Sequence, residues 1–393
     1  MTAAARRASA PADALLDLHT DAGRDAVNLV LLDFDPKSVF AGVKTALEAG
    51  SFLGARTGRD VRLVLLNPTG GRVPTRDELL TDGIAWLERA FPDTTWRIAC
   101  DDDLHTERFG TGDLWVATHW MTAHALDRAA TSGLVGRSRV IYLIQDFEPD
   151  FTKADAQREL AVSTYGVGFI PVVNTLQVAS YLQHRGLADI DPRLVFAPQF
   201  DLPLLSRVAA RRRRAAVPTV FFYGRPSKPR NMYELGIASL RVAAVRTAEK
   251  GLEVDFVMAG EDGPDIDLGH GRVLRNLGLL ERSAYFDLIA HVDAGLTLQA
   301  TPHPSHLPFD LAITGVPAVT NDIDGARSRM HPRILAGAGK PEELGRLLVA
   351  ALEASRRTPA DRLTYLPVPT GQLGGTIGSA LDAALDRIER ASR

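Results

Sequence analysis

The chain has almost no cysteine. Cys100 is the single one in 393 residues, which excludes an intramolecular disulfide and a cluster of thiolate metal ligands. That scarcity makes a cytoplasmic setting the expectation. Positive charge is not in excess either: 45 Lys and Arg against 48 Asp and Glu give a formal net charge of -3, without the basic surplus that bulk nucleic-acid binding needs. No apolar run approaches the roughly 18 residues that cross a bilayer. The ten histidines show no HExxH or comparable zinc spacing. Residues 1–24 hold three arginines and no continuous apolar segment of signal-peptide length, and read as a flexible leader. What remains is an ordinary soluble composition, 45% apolar and 24% charged, in which any role for positive charge is local.

Short β-branched runs alternate with longer alanine-rich helical patterns. The expected strands of the first half are VNLVLLDF (27–34), VRLVLLN (61–67), WRIAC (96–100), DLWVAT (113–118), VIYLIQD (140–146), GVGFIPVV (166–173) and LVFAP (194–198). Runs that are apolar at every position suit a parallel sheet covered on both faces. After the arginine-rich DLPLLSRVAARRRRAAVP the alternation restarts with TVFFYG, DFVMAG, RVLRNLG, AGLTLQ and PAVTN. Two such sets predict an α/β protein of two doubly wound, Rossmann-like domains across a cleft. The expected division is 25–205, a basic linker 206–218, 219–358, and a C-terminal helix within 359–393 that returns to the first domain. Arg211–Arg214 read either as a solvated helix end or as a patch for an acidic partner or a membrane surface.

Ligands in open α/β sheets collect at the carboxyl ends of the strands. In FFYGRPSKPRN a strand ends at Gly224 and releases Arg225, Lys228 and Arg230 before a helix. Asn231 and Glu234 have capping-box spacing, so Asn231 is the expected N-cap. A helix start offers free N–H groups to an anion, and Arg225 can grip a phosphate bidentately. A second loop, around Ser305 and His306, leads into a short helix with Asp310 in its first turn and Gly315 beyond its end. Asp310 can accept from ribose hydroxyls or simply favour the helix dipole. On the N-terminal side, His119 follows a strand and can orient a sugar or share a proton. Asp146 and Glu148 follow another, and can bind acceptor hydroxyls or draw off a proton; Glu148 can instead cap a helix or pair with Lys153. Asp101–Asp103 has the look of a metal-binding run and is read as a solvated turn.

These pieces resemble the GT-B glycosyltransferases of retaining family 4, and within it the rhamnosyltransferase branch typified by WsaF. The resemblance runs through NLVLLDFDPKSVFAGVKTAL, DLWVATHWMTA, VIYLIQDFEPDF, FFYGRPSKPRN and HPSHLPFDLAITGVPAVTN, nearly the whole chain from Asn28. It implies a hexosyltransferase that moves a sugar, with dTDP-L-rhamnose the first donor to test, onto a hydroxyl of a glycan, lipid-linked or small-molecule acceptor, with retention. It further implies Arg225 with Lys228 or Arg230 on the donor diphosphate, and Gly42 close to the same phosphates. Asp310 would stand where a glutamate binds the ribose, and the backbone of Asn276, Leu277 and Leu279 would flank the base. Pro302 departs from the family's pattern, which has an acid there. No metal or other cofactor is expected, because guanidinium groups and helix dipoles can neutralise the leaving diphosphate. Two other readings use the same architecture: a sugar-nucleotide 2-epimerase, and a non-catalytic nucleotide-sugar-binding protein.

Overall fold

A computed structural model describes residues 13–23, 25–66, 75–100, 103–151, 155–359, 364–369 and 371–392. Residues 1–12, Asp101, Asp102 and Lys153 lie outside the described residues. The chain divides into two compact units, 1–197 with 374–393, and 198–373. Among the described residues no helix is long and apolar enough to cross a membrane.

The first unit is built on a seven-stranded sheet. Its strands are β2 (Val27–Leu31), β3 (Val61–Leu65), β4 (Trp96–Cys100), β6 (Leu114–Ala117), β7 (Val140–Ile144), β8 (Ile170–Asn174) and β9 (Val195–Phe196), in the order β4-β3-β2-β6-β7-β8-β9 with every pair parallel. Every residue of β2, β3 and β7 is buried, because helices cover both faces, as parallel βαβ crossovers require. The helix Ile377–Ala391 returns to this unit, burying Ala380, Leu381, Ala384 and Ile388 in its core. Ion pairs Arg56–Asp382 at 2.8 Å and Arg387–Asp191 at 2.9 Å hold its polar edges.

Within the stretch read as a flexible leader, residues 13–23 are packed onto the first unit. Leu15 and Leu18 are buried, and β1 (His19–Asp21) pairs in parallel with β5 (Arg108–Gly110). Three apolar positions within six residues give this segment something to bury, which an arginine-bearing opening does not advertise.

The second unit repeats the plan. Its strands β10 (Thr219–Tyr223), β11 (Asp255–Ala259), β12 (Ile266–Gly269), β13 (Arg272–Asn276), β14 (Ala294–Leu296), β15 (Ala318–Asn321) and β16 (Ile334–Gly337) run in the order β12-β13-β11-β10-β14-β15-β16. All pairs are parallel except the β12–β13 hairpin at the edge. The unit begins at Pro198, so the helix Leu202–Ala210, expected to straddle domain and linker, belongs here. Residues 364–369 also lie in this unit, through Leu366 N donating to Ile313 O at 3.0 Å.

The four arginines are neither a solvated helix end nor a bare patch. Arg212 donates to Ile289 O and Val292 O, at 3.4 and 3.1 Å. Arg214 donates to Ser355 O and Thr358 O, both at 2.5 Å. These carbonyls end two helices, Arg282–Ile289 and Pro341–Arg357, where unsatisfied carbonyl groups and the negative end of the dipole favour cations. Arg211 pairs with Asp287 at 3.1 Å; of the four, only Arg211 and Arg213 are exposed.

Candidate functional site

Each sheet reverses its strand order once beside its first central strand, between β2 and β6 in the first unit and between β10 and β14 in the second. Loops leaving the carboxyl ends at such a point diverge and leave a crevice. The residues singled out in the sequence lie in these loops or next to them.

In the first unit, His119 is the N-cap of the helix Trp120–Thr131. Its Nδ1 accepts from Met121 N–H at 3.2 Å, so in the neutral ring the proton sits on Nε2. Thr122 Oγ1 accepts from the N–H groups of Thr118 and His119, at 2.9 and 3.0 Å. Glu148, buried in the turn after β7, sends Oε2 to Trp120 N–H at 2.6 Å. The same oxygen lies 3.9 Å from His119 Nε2. Burial holds the His119 ring down to about 4. It pushes the Glu148 carboxyl up to about 8, with nearby Asp146 adding to the rise. Both groups are therefore neutral around pH 6 to 7. Asp146 turns its Oδ1 to Phe147 N–H at 2.8 Å. Gly42 is in the first turn of the helix Ala41–Thr57, where its carbonyl accepts from Gln145 Nε2 at 2.9 Å; a Cβ there would lie 3.4 Å from Gln145 Oε1.

In the second unit, β10 gives way after Tyr223 to Gly224, where only glycine fits: a Cβ there would meet Met258 Sδ at 2.4 Å. The following loop does not end in the expected cap. Pro229–Asn231 form a single 3-10 turn, and the helix Tyr233–Glu249 starts behind Met232, whose φ is 49°, with no side-chain cap. Pro229 fixes the turn, and Asn231 is drawn inward so that its Nδ2 donates to Gln299 Oε1 at 3.4 Å. The first N–H groups of a 17-residue helix are left without a side chain to receive them. Arg225, in the same loop, has its Nε buried with no hydrogen-bond partner. Lys228 and Arg230 are exposed.

Four loops are tied together around this point. Ala300 N donates to Arg230 O at 2.8 Å, joining the basic loop to the one carrying Ser305 and His306. Ser227 donates from N and Oγ to Glu261 Oε2, at 3.2 and 2.6 Å, joining it to the loop after β11. That loop in turn holds the residues after β13: Asn276 Nδ2 reaches Glu261 O at 3.2 Å and Leu279 N reaches Asp262 Oδ1 at 3.0 Å. Leu277 N is taken by Met258 O at 2.8 Å, and the Leu279 side chain is 74% exposed beside them. Ser305 has a φ of 64° and its N–H donates to His303 Nδ1 at 3.1 Å. His306 packs edge-on against Phe200 at 5.2 Å and opens the helix Leu307–Ile313. Asp310, one turn in, accepts from the Tyr285 hydroxyl at 3.2 Å, and burial pushes its carboxyl up to about 7.

Two residues of this region went unnoticed in the sequence. Tyr285 is one. The other is Arg327, 1% exposed, which wires the 299–303 loop from beneath. Its Nη1 donates to Gln299 O, Asn321 O and Asn321 Oδ1, at 3.1, 2.9 and 3.1 Å. Its Nη2 donates to Thr301 O and to His303 O, the carbonyls on either side of Pro302.

Elsewhere, Asp103 is no solvated turn residue. It opens the short helix Asp103–Thr106 and pairs with Arg76 at 2.6 Å.

The two sheets and their switch points define a GT-B fold. Two solved structures share it across nearly their whole length. Sucrose-phosphate synthase from Thermosynechococcus elongatus is 14% identical with a TM-score of 0.56, covering 94% of this chain and all of that one. HepE from Anabaena, solved with UDP and glucose, is also 14% identical with a TM-score of 0.52, covering 93% of this chain and 98% of that one. Residues 26–176 match the family model described as WsaF, N-terminal domain, and residues 218–349 that of WsaF, C-terminal domain; these regions, together well over half of the chain, belong to the WsaF family. The O-antigen biosynthesis protein RfbC of Myxococcus xanthus is 35% identical over 210 residues, 53% of this chain. The match takes in only 16% of RfbC.

Proposed function

We propose that the protein is a glycosyltransferase that moves a sugar from a nucleoside diphosphate to a hydroxyl of a growing polysaccharide such as an O-antigen. The observation that carries this reading is the basic loop of the second unit. A buried guanidinium N–H of Arg225 without a partner and an uncapped helix start eight residues on are both donors in want of an anion. A diphosphate satisfies both. As it leaves the sugar its negative charge grows, and Arg225, Lys228 and Arg230 stabilise that charge most when it is greatest. Asp310 receives the ribose, and the backbone at Asn276–Leu279 and the exposed Leu279 receive the base. In the first unit, the neutral His119 donates from Nε2 to a sugar hydroxyl, and Asp146 binds the acceptor.

The finer assignment is a dTDP-linked deoxysugar, L-rhamnose first, transferred with retention and without a metal. It is supported by the match to both WsaF domains and by a loop that brings two guanidinium groups and an ammonium group of its own to a leaving diphosphate. The test is a thermal-shift series with dTDP, UDP and GDP, with and without EDTA, on wild type and Arg225→Ala. Stabilisation by one nucleotide, indifferent to EDTA and at least tenfold weaker in the variant, is the expected result. No stabilisation by any nucleotide would sink the donor site.

A further inference from the structure

Asp310 is not free to use both of its oxygens. Oδ2 accepts the Tyr285 hydroxyl at 3.2 Å, while among the described residues no partner is recorded for Oδ1. The tyrosine cannot easily swing away. It lies in the helix Arg282–Ile289, and its ring is wedged edge-on between Phe221 at 6.3 Å and Phe286 at 5.0 Å. Ring positions set by edge-to-face packing in a filled core fix where the hydroxyl points.

We infer that Tyr285 determines how the second unit reads the sugar of its nucleotide, by occupying the carboxylate oxygen that would otherwise bind a second hydroxyl. The inference rests on the donor-site reading above. A carboxylate with both oxygens open spans the neighbouring 2′ and 3′ hydroxyls of a ribose, one hydrogen bond to each. With one lone pair of Oδ2 given to the Tyr285 hydroxyl, Oδ1 is the oxygen left with both lone pairs open. It engages one hydroxyl, and the 3′ hydroxyl is the one that ribose and 2′-deoxyribose share. A second hydroxyl then adds little at this carboxylate, and 2′-deoxynucleoside diphosphates bind about as well as their ribose counterparts. Tyr285 is thus a specificity-determining residue, acting on the ligand through Asp310.

Calorimetric titration at pH 8.5, where the Asp310 carboxyl at about 7 is ionised, of matched pairs, UDP with 2′-deoxy-UDP and GDP with 2′-deoxy-GDP, isolates the 2′ hydroxyl from the base. Wild type should bind the two members of a pair within about twofold of each other. Tyr285→Phe keeps the ring and frees Oδ2, and should favour the ribonucleotide by about tenfold, the effect of one hydrogen bond to a charged group. Asp310→Ala should weaken both members alike. A wild type that already prefers ribonucleotides tenfold overturns the inference, as does a Tyr285→Phe ratio equal to that of wild type. In either case, binding that Arg225→Ala abolishes leaves the donor site standing. Absence of binding by wild type, or binding indifferent to Arg225→Ala, overturns the donor site and this inference with it.

Discussion

The helices Trp120–Thr131 and Tyr233–Glu249 occupy comparable places, each following a strand beside the reversal in its sheet, yet their N-termini are treated in opposite ways. In the first unit the protein fills its own helix start: His119 Nδ1 takes Met121 N–H, and Glu148 takes Trp120 N–H. In the second unit no side chain does so, and the loop before the helix carries three cations. One scaffold thereby yields a helix start closed to anions and a helix start left open to one. The first is lined by groups that burial keeps neutral, which suits contacts to uncharged hydroxyls. The second keeps its positive charge for a phosphate.

The comparison breaks most severely at Arg327, which keeps the second crevice in shape. Removing it takes one buried donor from each of the carbonyls of Gln299, Thr301, His303 and Asn321. Arg327→Ala should cost about 3 kcal/mol or more of stability, measured by urea unfolding. Arg327→Lys should recover less than half of the loss, since an ammonium lacks the planar fork that reaches both sides of Pro302. Recovery by lysine to wild-type stability would show that charge alone suffices.

Glu148 sharpens the comparison from the other side. Its carboxyl is at about 8 in the fold against an ordinary 4.5, so the folded state holds a proton that the unfolded chain has released. Its contribution to stability is complete below about pH 4.5 and is lost as pH rises through about 8. His119 runs the other way: with its ring lowered to about 4 from 6.5, its contribution is present above pH 6.5 and is lost as pH falls through 4. Glu148→Gln preserves an acceptor for Trp120 N–H without the titration. Its stability relative to wild type should climb steadily between pH 5 and 8, read as the difference in urea midpoints at constant m. A flat difference would mean that Glu148 is ionised and stabilised by something other than this corner.

Most strands of both sheets were legible, because a strand buried on two faces must be apolar throughout. Those missed are β1, β5, β12 and β16: HTD, RFG and IDLG are broken by polar residues or glycine, and ILAG runs on into a glycine-rich stretch. The charged loops were legible as sites of charge but not as geometry. Asn231 had the right spacing for a cap, yet Pro229 commits the chain to a turn that points it into the core. Arg327 lies in GARSRMHP, polar and irregular, where nothing announces burial. Tyr285 looks like any helical core aromatic, since its hydroxyl finds Asp310 only once the helices Arg282–Ile289 and Leu307–Ile313, before and after β14, are brought together. The arginine run was misjudged for a related reason: sequence shows four charges, whereas the fold divides them by which carbonyls each can reach.

That division makes the smallest prediction, and it returns to helix ends. Arg212 and Arg214 do at two helix C-termini what Glu148 does at an N-terminus, supplying the missing partner from within the protein. Arg214→Ala leaves the carbonyls of Ser355 and Thr358 half-buried without it, and should cost about 1–2 kcal/mol. Arg211→Ala removes only an exposed pair with Asp287, both side chains more than half exposed, and should change stability by less than about 0.5 kcal/mol. Thermal midpoints of the two variants at low and high salt separate the cases. The Arg214 loss should persist in salt, because hydrogen bonds to shielded carbonyls are poorly screened, whereas any Arg211 effect should fade. Equal losses at both positions would mean that the run acts as a block of charge, and that the contrast between filled and open helix ends does not extend to the linker.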